Sequence, residues 1–452
     1  MLILYGLLFT GCEDFVEADD PMGQIPNQMV FEEEGTATAA VTTLYSKLRD
    51  EVLLTGQPHG LTALMGLYAD EFDAYSTDHS NAIYAFYGHT IIASNEQVRS
   101  VWDGAYQLIY MSNSAIEGLD ASSALSDEVR SQLKGEALFV RALTHFHLVN
   151  LFGDVPYVTT TDYLVNQDVT RMPVQTVYEH IIADLLQAKS LLTDEYVSGE
   201  RVRANRYVVA ALMARVYLYM QRWQEAESES TVLIDNASLF QLESDLNNEF
   251  LKESRSAILQ LKPKNAGDNT WEAGNLLFIT GPPPFVALSS GFMESFEAGD
   301  LRKSSWVSEV SDGSQSWYAP YKYKQRENTG TSLEYSIAFR LAEQLLIRAE
   351  ARAHLGNLNG ARQDINTIRN RSGLPDTDAV VQPDILQAIL KEKKVELFAE
   401  HGHRWFDLKR LGIAAEALAS VKPNWKPTDV LLPIPESELL MNPNLAPQNA
   451  GY

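Results

Sequence analysis

The run KEKKVELFAEHGHRWFDLKRL, Lys391 to Leu411, carries more charge than a buried helix holds without partners. Ile385, Leu386, Ile389, Leu390, Leu397 and Phe398 recur at helical spacing behind a Pro383-Asp384 start, so the segment reads as one helix with an inward face. Glu392, Glu396, Glu400 and Arg404 follow at steps of four and fall in a single row along it. Such a row must pair or stay wet; the expected partners are Arg404, Lys409 and Arg410 or the backbone amides of a neighbouring segment. His401 and His403 are two apart, which puts them on different faces of a helix, and no HExxH motif is present, so no metal site is assigned. The segment is therefore read as a strut closing a helical body, with Gly402 permitting a bend before Trp405 and Phe406 pack down.

Outward from this strut the helical signals multiply. AALMARVYLYMQRWQEA (210–226) and LLIRAEARAHLGNLNGARQDINTIRNR (345–371) each outline two helices in which small residues permit close contact and aromatics fill the gaps. Fainter pairs span 36–118 and 127–192, with Ser94 or Asn95 and Ser126 as N-caps and Gly153 with Pro156 as a stop. The fold class expected is mainly α, an α-α superhelix of tetratricopeptide-like helix pairs with a long loop-rich insertion containing a few short strands. Two insertions interrupt it, at about 55–95, read as a long polar and aromatic loop, and at about 236–336, rich in Gly and Pro.

The 36 basic against 60 acidic residues give a net charge of -24, which repels nucleic acid at long range. Cys12 follows the apolar run LILYGLLF and the small pair Thr10-Gly11, the pattern of a lipoprotein cleavage site, although no Lys or Arg precedes it. Residues 1–11 are read as a signal peptide, Cys12 as the lipidated N-terminus, 12–30 as a tether and 31–452 as one domain.

VELFAEHGHRWFDLKRLG, GEALFVRAL followed by LFGDVPYVT, and the lipoprotein start together resemble the SusD/RagB family of Bacteroidetes surface lipoproteins. The resemblance implies a non-catalytic protein that binds oligo- or polysaccharide and works with a SusC-like TonB-dependent outer-membrane transporter, anchored by lipid to the outer membrane and facing outward. It implies no cofactor.

A neutral sugar packs its C–H faces on aromatic rings and pairs its hydroxyls with short polar side chains. Two stretches carry that mixture. Asp70 to Tyr87 offers Asp73, Tyr75, Asn81 and Tyr84; Gly267 to Tyr318 offers Asn269, Trp271, Trp317 and Tyr318. Trp271, with polar neighbours on both sides, is the first candidate for an exposed ring, followed by Tyr75 and Trp317, whereas Trp306 is read as local packing and Trp102, Trp223 and Trp405 as core. The acidic balance favours a neutral glycan such as a glucan. Three other readings stay open: a RagB-like peptide binder, a scaffold acting through its repeat face alone, and a glycoside hydrolase using acids among Asp70, Glu71 and Asp73.

Overall fold

The computed structural model describes residues 27–75 and 81–452; the proposed signal peptide and Cys12 lie outside the described residues. Ten helices build the body in chain order: α1 (Glu34–Asp50), α2 (Glu96–Ala121), α3 (Asp127–Phe152), α4 (Val174–Leu191), α5 (Arg206–Tyr219), α6 (Trp223–Ile234), α7 (Leu341–His354), α8 (Leu358–Arg371), α9 (Gln382–Glu396) and α10 (His403–Arg410). Each of α1 to α8 packs against the next, which is the superhelical arrangement expected, and the four helix pairs are those the sequence outlines. Their ends follow local chemistry. Asn95 Oδ1 accepts from the amides of Gln97 and Val98 at the start of α2, Ser126 Oγ accepts from Val129 N at the start of α3, and α3 stops at Gly153 with φ +75°.

Helix α3 is buried on every side from Gly135 to Phe152 and forms the centre of the body. Buried ion pairs cross-link its layers: Arg141 to Asp184 between α3 and α4 (2.7 Å), Arg215 to Glu343 between α5 and α7 (2.6 Å), and Arg348 to Asp364 between α7 and α8 (2.7 Å). Trp102 and Trp405 are core as expected, and Trp306 is fully buried with its indole N–H donating to Leu246 O. Trp223 departs from expectation: half-buried, it stacks on the His354 ring at 4.0 Å.

Among the described residues, six short strands form three antiparallel pairs: β1 (Phe72–Ala74) with β3 (Val286–Leu288), β2 (Ala257–Leu261) with β6 (Ser336–Arg340), and β4 (Val307–Ser311) with β5 (Ser316–Pro320). The β1–β3 register, Phe72 opposite Leu288 and Asp73 opposite Ala287, fuses the two insertions into one block. The first insertion is not simply a loop: Leu61–Tyr68 is a helix buried all round, as its run LTALMGLY, apolar on every face, requires.

The strut differs most from its sequence reading. It is two helices, α9 and α10, separated by a turn in which Ala399, His401 and Gly402 have φ of +53°, +45° and +80°. The row of charges is broken there, and Arg404 leaves it to pair with Asp70 at 2.7 Å. Lys409 and Arg410 also turn elsewhere, Lys409 to Asn150 O and Arg410 to Glu350. The carboxylates are answered instead by cations from the second insertion, from the end of β6 and from the end of α8. Glu392 meets Arg302 and Arg369, Glu396 meets Arg302, Arg340 and Arg371, and Glu400 meets Arg340 and Lys322. Burial pushes Glu396 up, but the three guanidiniums outweigh it and hold the carboxyl well below the usual range. His401 is neutral in this setting, burial lowering its pKa to about 4 with Nε2 against Ile337 O.

Candidate functional site

Trp271 opens the short helix Trp271–Leu276, whose cap is Thr270 Oγ1 accepting from Ala273 N. The ring is 45% exposed, and its indole N–H donates to Asp50 Oδ1 at 3.0 Å across 221 residues of chain. Asp50, the last residue of α1, also takes Arg49 Nε at 2.8 Å and is held below its usual pKa: burial raises it, while the hydrogen bonds from Arg49 and Trp271 prevail. The ring is thus fixed by its polar edge while one face stays open.

It faces a cleft of about 670 Å³ whose lining includes Arg49, Asp50, Lys264, Asp268 and Arg326. Arg326 is exposed and makes no ion pair or hydrogen bond among the described residues. Behind the ring lies Glu272, 5% exposed; its Oε1 accepts from Ser336 Oγ and its Oε2 has no partner. Burial, reinforced by Glu334 and Glu400 against the Ser336 hydrogen bond, pushes its pKa up to about 7.

Asn269 takes a different role from the one its type implied. Its Nδ2 donates to Glu327 O and Thr329 Oγ1, and its Oδ1 accepts from the amides of Leu333 and Glu334. The amide is spent stapling two loops of the cleft wall, leaving little to offer a ligand.

A second cluster forms where β1 meets the helix Tyr84–Gly88. Tyr87 Oη donates to Asp73 Oδ1 at 3.3 Å, Tyr84 and Tyr87 lie with ring centroids 5.7 Å apart, and Lys422 Nζ sits 3.8 Å over the Tyr87 ring. Burial and then the Asp73 charge raise Tyr87 to about 12. Tyr75, half-buried, is tied by its amide to Phe285 O, and the exposed Asn81 accepts from Ile83 N and so holds the turn leading into that helix.

Trp317 is not an exposed platform. It is 4% exposed, packed among Leu277, Phe278, Ala287 and Val310 with Tyr75 against the cluster, and so close to Gly281 that a Cβ there would lie 2.0 Å from the ring. Tyr318, its neighbour on β5, points to the opposite side of the strand and lines a separate groove with Leu301, Lys303 and Ser304. The candidates therefore divide among three places: Trp271 on the cleft, with Asn269 in its wall; Asp73, Tyr75, Asn81 and Tyr84 by β1; and Tyr318 alone. Sequence reasoning missed Asp50, Arg49, Lys264 and Arg326, which come from a helix end and from loops, where no local pattern marks them.

Of the acids considered for hydrolysis, Asp73 is half-buried and accepts from Tyr87 Oη. Asp70 is clamped by Arg404 and Lys394, and Glu71 is buried, its pKa raised by that burial and by Asp70 to about 8.

A family model described as starch-binding associating with outer membrane matches residues 43–218, and the SusD family model matches residues 268–452. The chain belongs to the SusD/RagB family. It is 29% identical to SusD-like protein P2 of Formosa agariphila, over 99% of this chain and 98% of that protein. Among solved structures it is similar to a laminarin-binding SusD-like protein (TM-score 0.78, 23% identity, 92% of this chain and 99% of the other) and to surface glycan-binding protein A of Bacteroides fluxus (TM-score 0.75, 22% identity, 93% and 100%). At these identities the structural likeness shows the SusD fold, into which both the repeat body and the strand-paired insertions fit.

Proposed function

We propose that this SusD-like protein is a non-catalytic, surface-exposed glycan-binding lipoprotein that passes oligosaccharide to a SusC-like TonB-dependent outer-membrane transporter. The observation that carries the reading is the Trp271 ring, held by Asp50 through its N–H with a face open to the cleft; a rigid aromatic shelf is what a pyranose ring stacks on. The names of the laminarin-binding and surface glycan-binding neighbours support it, as does the family description that mentions starch and the outer membrane. The cleft lining holds Arg49, Lys264 and Arg326 against Asp50, Glu51, Asp268, Glu272 and Glu327, a balance that favours a neutral glycan over an acidic one. Lipidation at Cys12 supplies the anchor, and no helix among the described residues is long and apolar enough to cross a membrane.

Titration calorimetry and affinity electrophoresis against soluble neutral polysaccharides test this. The expected result is binding of at least one glucan, weakened tenfold or more in Trp271→Ala with an unchanged melting temperature. Binding that is indifferent to Trp271 moves the site to the Tyr84–Tyr87 cluster, and binding to peptides alone replaces the glycan reading with the RagB-like one.

A further inference from the structure

The buried cations of this protein are answered by carboxylates almost everywhere. Lys322 meets Glu400, Lys393 meets Glu350 and Asp407, and Lys422 lies in the field of Asp73 and Asp70. Lys409, part-buried, breaks the pattern. Its ammonium is turned inward from α10 onto one neutral acceptor, the carbonyl of Asn150 near the end of α3, and among the described residues no carboxylate pairs with it. Its neighbour Arg410 does not share this condition, being bound by Glu350 and Asp407. A desolvated cation with a carbonyl alone is poorly compensated, and burial accordingly lowers the lysine's pKa to about 7.

Lys409 lines a pocket of about 440 Å³, and a second cation that forms no ion pair, Arg171, lines it too. Arg171 spends its donors on neutral oxygens: Nε on Asp154 O, Nη1 on Pro447 O and Nη2 on Asn449 Oδ1. The Asp154 side chain, the acid on the lining, is exposed, accepts from Val174 N and lends its charge to Arg171 without an ion pair. The walls include the partly exposed Val174, Tyr219 and Leu431. In a chain of net charge -24, two cations that form no ion pair, Arg171 with only the Asp154 charge near it and Lys409 with none, share one concavity with an apolar and aromatic wall.

We propose that this pocket binds a small organic carboxylate, no larger than a sugar acid, seated between Lys409 and Arg171. The carboxylate supplies the ion pair that neither cation has, and the body of the ligand lies on Tyr219, Val174 and Leu431. The site shares no lining residue with the Trp271 cleft and stands whether or not that cleft takes glycans.

Glucuronate is the probe, with glucose as its uncharged counterpart, titrated into the full-length mature protein by calorimetry and followed by the Lys409 Cε and Nζ resonances. The expected result is that glucuronate binds and glucose does not, that Lys409→Met and Arg171→Gln each weaken binding tenfold or more, and that Trp271→Ala leaves it unchanged. Saturation with glucuronate also shifts the Lys409 titration to higher pH, because a bound anion favours the ammonium form. Arg171 lies nearer the surface, so Arg171→Gln reports even where Lys409→Met fails to fold. Absence of glucuronate binding, equal response to glucose, binding untouched by Arg171→Gln, or loss in Trp271→Ala instead overturns the proposal.

Discussion

At the scale of single residues, Trp271 and Glu272 are adjacent in sequence and opposite in circumstance. One ring is fixed by a hydrogen bond and left open; the carboxyl beside it is buried with Oε2 unpaired. Because the pKa of Glu272 is raised to about 7 from the ordinary carboxyl value, the folded state holds its proton at pH values where the unfolded state has lost it. Stability from this group is therefore greatest in acid and falls as pH rises through the window from the ordinary carboxyl range to about 7. Glu272→Gln keeps an acceptor for Ser336 and cannot ionise. Its unfolding free energy in urea should match the wild type at pH 4 and exceed it at pH 8, by an amount on the order of 1–3 kcal/mol. A gap that does not widen with pH means that Glu272 is already neutralised by some other contact. Polar neighbours in the sequence marked Trp271 as a candidate for exposure, but the partner that fixes its ring is 221 residues away. Trp317 misled for the mirror reason: its serine and glutamine neighbours are exposed on a strand edge while the ring turns inward.

The element that governs the fold is the α9–α10 strut. Three positive-φ residues end α9, and the reversal points Glu396 and Glu400 at Arg340, at the end of β6, while Arg404 swings toward Asp70. Gly402 is confined sterically, since a Cβ there would lie 2.6 Å from Met65 Cβ at a φ of +80°. Gly402→Ala should cost more than about 1 kcal/mol in urea denaturation, whereas Gly35→Ala, whose Cβ meets nothing, should be neutral or stabilising. Arg340→Met removes the guanidinium shared by Glu249, Glu396 and Glu400, and the expected loss is about 3–5 kcal/mol, the magnitude for one partner taken from a buried ionic cluster. A loss under about 1 kcal/mol would mean that Arg302 and Arg371 suffice. The helical spacing of the strut and its need for partners were legible from its residues. Its break was only half legible: Gly402 marks a bend, but the left-handed turns at Ala399 and His401 are imposed by tertiary contacts, which no propensity encodes.

For the whole molecule, the consequence is that the insertions are welded to the body. Strand β1 joins the first insertion to the second, and Arg302, Lys322 and Arg340 lock the second onto the strut. Far-UV circular dichroism, which follows the helical body, and tryptophan fluorescence, to which Trp271, Trp306 and Trp317 of the insertion contribute, should therefore trace one coincident urea transition. Fluorescence that changes at lower urea than ellipticity would show an insertion melting by itself. The sequence alone determined the helix pairs, their caps and the need to neutralise the strut, because these follow from periodicity, composition and local hydrogen-bonding chemistry, while its motifs carried the family resemblance. Only the tertiary structure decided which cations meet which carboxylates, which aromatic faces solvent and where open concavities form. Those outcomes depend on contacts between residues separated by up to hundreds of positions, such as Trp271 with Asp50 and Arg404 with Asp70, and chain folding brings them together without leaving a local pattern.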